Sequence, residues 1–167
     1  WLWQNWNVNF VNEKKILTMK NTISLEYIRQ YILAGRATVG FHSTKTNNTY
    51  WYIVKKSDKQ ENRWNVYMDF TVTEQARFLG FIKKVYGTND VFLFYLPGTD
   101  VTQFWSVSKK KIADIFAITW DIIQRKAEKT HLIFLHKGNC GYCNRPLSDA
   151  ESLITGIGPV CRKKLGI

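Results

Sequence analysis

Cys140-Gly141-Tyr142-Cys143, followed by Cys161, constrains this chain more than any other feature. All three cysteines lie between residues 140 and 161, and an odd number cannot form a closed set of disulfides. Metal binding in a reducing compartment suits them better. Two cysteines separated by two residues can grip one edge of a tetrahedral site in a tight knuckle. Gly141 relieves the turn, and Asn144 stands where a left-handed backbone is wanted and Asn tolerates it. Pro159 suits the first turn of a helix that would turn Cys161 inward. Between them, Ser148 and Glu151 have capping-box spacing, predicting a helix from Asp149 to Ile154 that Gly156 closes. Gly156 and Gly158 lack the strand, the further glycine and the Lys-Ser/Thr of a phosphate loop, and read as a sharp turn.

Three thiolates leave one position open, and His136, four residues before Cys140, is the nearest candidate for it. A closed set of His136, Cys140, Cys143 and Cys161 would hold one structural Zn2+. The alternatives are a plain strand role for His136, a cluster of free buried thiols, or an open and potentially catalytic site. The last needs a general base beside the metal, and the nearest acids, Asp149 and Glu151, are explained as helix-start residues.

Ahead of the cysteines the pattern is that of an α+β fold. Ser24 can cap a helix carrying Leu25, Ile28, Tyr31 and Ile32 at 3.6-residue spacing, with Gly35 as its stop. Residues 37–41 and 49–54 read as a hairpin, 64–70 as a period-two strand, and 78–82 and 91–96 as strands four and five. Ser108 is the expected cap of one long covering helix, residues 109–126, with Ile112, Ile115, Phe116, Thr119, Trp120, Ile122 and Ile123 as its apolar stripe. Its acids pair four residues apart, Lys110 with Asp114 and Asp121 with Arg125, so they need no catalytic explanation. Residues 131–135 form a last strand leading into the cysteines. The expected fold is thus a short helix, an antiparallel sheet of about five strands, a long helix and a zinc knuckle.

The expected division is a non-native leader or disordered segment at 1–18, an α+β domain at 19–130 and a zinc-binding tail at 131–167. The leader reading rests on Trp1, Trp3 and Trp6 among repeated Asn, with Met19 standing just before the first helix signal as the natural start. No run of 18 or more apolar residues and no signal-peptide pattern occurs, so the expected location is the cytoplasm, with no membrane partner.

Charge points to the partner. Lys and Arg number 24 against 13 Asp and Glu, a formal charge of +11, and a positive field of that size attracts polyanions. Nucleic acid is therefore the first partner expected; a charge spread over solvated faces is the plain alternative. Around the cysteines, Lys137, Arg145, Arg162, Lys163 and Lys164 outnumber the local acids and would bind phosphates if they shared a face. Aromatic residues make up 15% of the chain, and each strand can turn only half of its own inward. Among those that could stack on unpaired bases are Trp51 and Trp64, although core packing is the commoner use of such rings. No nucleophile motif and no paired acids in a metal-cluster pattern occur, so neither catalysis nor a small-molecule substrate is expected.

The segment His136-x-x-x-Cys140-Gly-x-Cys143-Asn-Arg145-Pro-Leu147-Ser-Asp-x-Glu-Ser152, then Gly156-Ile157-Gly158-Pro159-x-Cys161, resembles a zinc-finger-like domain of unknown function. That family is common at the carboxyl end of phage and prophage proteins and is sometimes appended to helicase-like enzymes. Its members usually carry Gly where this chain has Asn144. The three cysteines match residue by residue, and the histidine match supports His136. Upstream, Ala34-Gly35-x-Ala37-Thr38-Val39, the strand near Tyr52, Leu79-Gly80, and Ser106 with Lys109 are similar to the amino-terminal part of such phage proteins. The resemblance implies a phage origin, a bacterial host cytoplasm and zinc. It leaves two functions open: a non-enzymatic nucleic-acid-binding protein, or an inhibitor or adaptor engaging a host protein. A hydrolase with an open zinc site is a third class, requiring His136 to be free of the metal.

Overall fold

The computed structural model describes residues 21–69 and 77–167. In chain order the elements are β1 (Thr22–Ile23), α1 (Leu25–Leu33), β2 (Arg36–Ser43), β3 (Asn48–Lys56), β4 (Arg63–Met68), β5 (Phe78–Lys84) and β6 (Phe92–Tyr95). They continue with α2 (Thr99–Thr102), α3 (Val107–Gln124), β7 (Leu132–His136), α4 (Ala150–Thr155) and α5 (Pro159–Leu165). The strands form one antiparallel sheet of order β1-β7-β2-β3-β4-β5-β6.

Period-two alternation sorts the sheet's side chains. Ala37, Val39 and Phe41 on β2 share one face with Tyr52 and Val54 on β3 and with Trp64 and Val66 on β4, and all are buried. Helix α3 presses Phe116 into this face, its ring 5.0 Å from that of Tyr52, 5.7 Å from Phe41 and 4.9 Å from Phe94. Each large polar-tipped ring finds a backbone acceptor. The Tyr52 hydroxyl donates to the Ile112 carbonyl, the Trp64 indole N–H to Leu33 and the Trp120 indole N–H to Phe92, each at 2.9 Å. Those bonds fix α1 and α3 on the same side of the sheet. The opposite face carries Trp51, Ile53, Asn65, Tyr67, Phe81 and Tyr95, which alternate with the core positions.

The α+β class agrees with the sequence, but among the described residues the sheet has seven strands where about five were expected. Thr22–Ile23 adds an edge strand too short to show alternation, paired with Leu135 and Phe134. Strand β7 lies inside the sheet, between β1 and β2, so a boundary at residue 131 would cut a sheet strand away from its neighbours. The chain leaves the sheet for the last time at Lys137. The cap of α3 is Ser106, whose side chain accepts the Lys109 N–H, where Ser108 was expected; Ser108 lies inside the first turn. Of the helix pairs, Arg125 and Asp121 meet at 2.9 Å. The expected leader, 1–18, and Phe70 lie outside the described residues. Among the described residues no helix is long and apolar enough to cross a membrane.

Candidate metal centre and the surface around it

From Gly138 to Leu147 the chain doubles back on itself. The Leu147 N–H donates to Gly138, the Cys140 N–H to Arg145 and the Asn144 N–H to Cys140, and Asn139 bridges Pro146. Asn144 sits at φ 62°, the left-handed conformation expected after the second cysteine. This tight hairpin sets Cys140 and Cys143 side by side. Asp149 then caps α4 by accepting the Ser152 N–H at 2.8 Å, and Gly156 ends it at φ 72°. The expected Ser148–Glu151 capping box is thus shifted: Asp149 is the cap. Pro159 opens α5 at its first turn, and Cys161 faces inward.

The three sulfurs come together, all within 4.8 Å of one another, a donor set able to hold a metal ion. Among the described residues no fourth ligand joins them. The microenvironment already favours one thiolate. Burial works against the charged form of Cys140, but N–H groups of Cys143, Gly158 and Tyr142 outweigh it and lower its pKa; the Gly158 N–H lies 3.4 Å from Sγ. Burial, then the hydrogen bonds that the Cys161 thiol donates to Cys143 and Cys140, push it up to about 12. Of the trio, Cys161 holds its proton most firmly, and a cation bound by all three sulfurs would have to displace it.

His136 does not join the sulfurs. It occupies the core face of β7, opposite Val39, and is 1% exposed. Its Nε2–H donates to the Leu153 carbonyl at 2.8 Å, and its Nδ1 accepts the Gly138 N–H at 3.0 Å. Both ring nitrogens are used, so the expected ligand role is corrected to a clamp. The imidazole ties the last residue of the sheet to α4 and to the start of the knuckle. Burial holds its pKa below the usual value, the Leu153 contact opposing this only in part, so the ring is neutral.

Sequence reasoning missed the residue against which the module docks. Tyr31, on α1, donates its hydroxyl to the Thr38 carbonyl and accepts the Thr38 N–H, which leaves its buried ring facing the knuckle. A Cβ on Gly141 would lie 2.7 Å from that ring, and one on Gly156 would overlap it as well. Both glycines are therefore demanded by Tyr31. The Gly141 N–H donates to Gly156 and its carbonyl accepts the Arg36 N–H, welding knuckle, α4 and sheet together. The aromatic residue at position 31 and the two glycines offered a signal, but nothing local connects them.

The basic residues named from the sequence divide. Arg145, Lys163 and Lys164 are exposed. Arg162 is committed internally, its guanidinium meeting Glu151 at 3.2 Å and Thr155 at 3.0 Å, so it serves as a brace between α4 and α5. Lys137 pairs with Asp69 and lies over the Trp51 ring at 5.1 Å, on the sheet face away from the helices. Trp64, by contrast, is a core residue, 6% exposed with its indole N–H bonded to Leu33, and cannot stack on a base.

A cysteine knuckle answered by one cysteine from a following helix is the architecture of a small metal-binding module. Residues 133–166 match the model of a family of unknown function, DUF6011. No curated protein and no solved structure matches the chain. The matched segment starts inside β7 and ends at Gly166, just past α5, so it holds His136 and all three cysteines.

Proposed function

We propose that the protein is a non-enzymatic, phage-encoded zinc protein that binds nucleic acid. The observation that carries this reading is the charge pattern of the sheet. Its strands contain no Asp or Glu, yet they hold Arg36, Lys55, Lys56, Arg63, Lys83 and Lys84. On the face away from the helices, basic groups lie over aromatic rings: Arg63 over Phe81 at 3.9 Å, Lys137 over Trp51 at 5.1 Å and Lys55 over Tyr67 at 5.8 Å. Cations beside π faces suit a ligand made of phosphates and flat bases. Exposed Lys163 and Lys164, in the last turn of α5, would add phosphate contacts.

Three thiolates suit zinc, a d10 ion that brings no redox chemistry. Cys140, Cys143 and Cys161 would hold it, leaving the fourth position to water. The nearby acids are engaged elsewhere, Asp149 with the Ser152 N–H and Glu151 with Arg162. Among the described residues no general base is thus placed beside the sulfurs, and the ion's role would be to fix α5 against the knuckle. The test is fluorescence anisotropy of the zinc-loaded protein with DNA and RNA at low and physiological salt. Binding that persists at physiological salt, with a salt slope reduced by about one per lysine in Lys163→Glu and Lys164→Glu, is the expected result. Binding seen only at low salt, with both variants unchanged, would refute it.

One observation favours the second reading, a module that engages a host protein. Phe104 and Val107, 82% and 86% exposed, protrude near Val101 at the start of α3. Val101, 47% exposed and hydrogen-bonded through its carbonyl to the Phe104 N–H, joins them in one apolar cluster, and a contiguous exposed apolar patch suits a protein contact. Pull-downs that survive high salt and fail with Phe104→Ser would favour that class.

A further inference from the structure

We infer that the nucleic acid bound is an unpaired strand, and that its bases stack at the β5–β6 end of the sheet. This deepens the nucleic-acid reading and rests on it. Arg63, Phe81 and Tyr95 form a row across three neighbouring strands. The guanidinium of Arg63 lies 3.9 Å from the centre of the Phe81 ring, and the Phe81 and Tyr95 rings stack at 5.4 Å with 22° between their planes. Strand β6 is the last in the sheet among the described residues, with no further described strand flanking Tyr95, which is 41% exposed. A ladder of guanidinium, ring and ring that ends at an edge is one base short of continuing outward.

The ladder is also held rigidly. Arg63 is pinned by bonds from its Nε to Asn65 and from its Nη1 to Gln60, at 3.0 and 2.9 Å. Gly80 lets β5 approach β6 so closely that a Cβ there would meet the Tyr95 carbonyl and the Phe94 ring. A preset platform loses little side-chain entropy when a base lands on it. Charge matches the occupant: exposed Lys83 stands on β5 two residues beyond Phe81, and β4, β5 and β6 carry no acid. A duplex keeps its bases stacked on one another and offers only phosphates to such a surface, whereas an unpaired strand offers both phosphates and π faces. Single-stranded DNA and RNA share this chemistry, and the probes separate them.

The test is anisotropy of the full chain, zinc-loaded, with oligo-thymidine, oligo-uridine and a DNA duplex of equal length. Wild type should bind at least one single strand about tenfold more tightly than duplex. Tyr95→Leu and Phe81→Leu should each weaken single-strand binding about five- to tenfold and leave duplex binding unchanged. Tyr95→Leu lies at an exposed edge, and an unchanged melting midpoint will show that the fold is kept; Phe81→Leu gives the second readout. Equal affinity for duplex and single strand, with Tyr95→Leu neutral, overturns the platform while the nucleic-acid reading stands. No binding to any of the probes overturns both.

Discussion

Two glycines with the same backbone conformation but different surroundings give the sharpest test of how the module docks. Gly156 and Gly166 both follow helices in the left-handed region, at φ 72° and 71°. Around Gly166 a Cβ would meet nothing within 4 Å; at Gly156 it would run into the Tyr31 ring and approach Ile23 to 3.1 Å. Alanine at either site adds left-handed strain of about 1 kcal/mol. At Gly156 the overlap in a packed interior adds about 1–3 kcal/mol more. With a urea m-value of about 2 kcal/mol/M, Gly166→Ala should lower the unfolding midpoint by about 0.5 M and Gly156→Ala by about 1–2 M. The excess should shrink when Gly156→Ala is placed in a Tyr31→Leu background, because the clashing ring is gone. Equal shifts for the two alanines, or an excess untouched by Tyr31→Leu, would refute Tyr31 as the docking post.

Other expectations follow from the same geometry. His136→Gln should leave metal stoichiometry unchanged yet lower stability by about 2–4 kcal/mol in chemical unfolding, because Leu153 and Gly138 lose their partners. His136 has a depressed folded pKa, so its contribution is complete above the unfolded value of about 6.5 and is lost as pH falls below it. Wild type should therefore lose more stability between neutral and mildly acidic pH than His136→Gln does. Zinc affinity should rise with pH, since the raised Cys161 thiol must give up its proton to bind; a competitive chelator titration with a flat pH profile would contradict this. Trp51→Leu should weaken nucleic-acid binding while Trp64→Leu should mainly lower the melting temperature, as measured by anisotropy and by calorimetry respectively.

What the sequence disclosed, and what it hid, follows the range of the interactions involved. The knuckle, the left-handed Asn144, the Gly156 stop and the Pro159 start are all local, and each appears where the residue pattern placed it. Strands β2 to β5 were legible because one face is buried and alternation records it. Thr22–Ile23 was not, since two residues carry no period and only the partner strand makes them a strand. Ser106 and Ser108 are equivalent in propensity, and the turn that decides between them comes from the preceding segment. The spacing from His136 to Cys140 permits a ligand. Register with Val39 instead turns the ring into the core beside Tyr31, with ring centroids 6.0 Å apart, and no spacing argument contains that register. The same limit applied to Trp51 and Trp64, which differ in face and so divide into a surface ring and a core ring.

The most direct test of the proposed metal centre is cobalt substitution of the full chain followed by absorption spectroscopy. The account predicts one metal per chain with sulfur-to-metal charge transfer from three thiolates. Cys161→Ser should weaken that signal and His136→Gln should keep it. No metal bound, or a spectrum insensitive to Cys161→Ser but changed by His136→Gln, would contradict it.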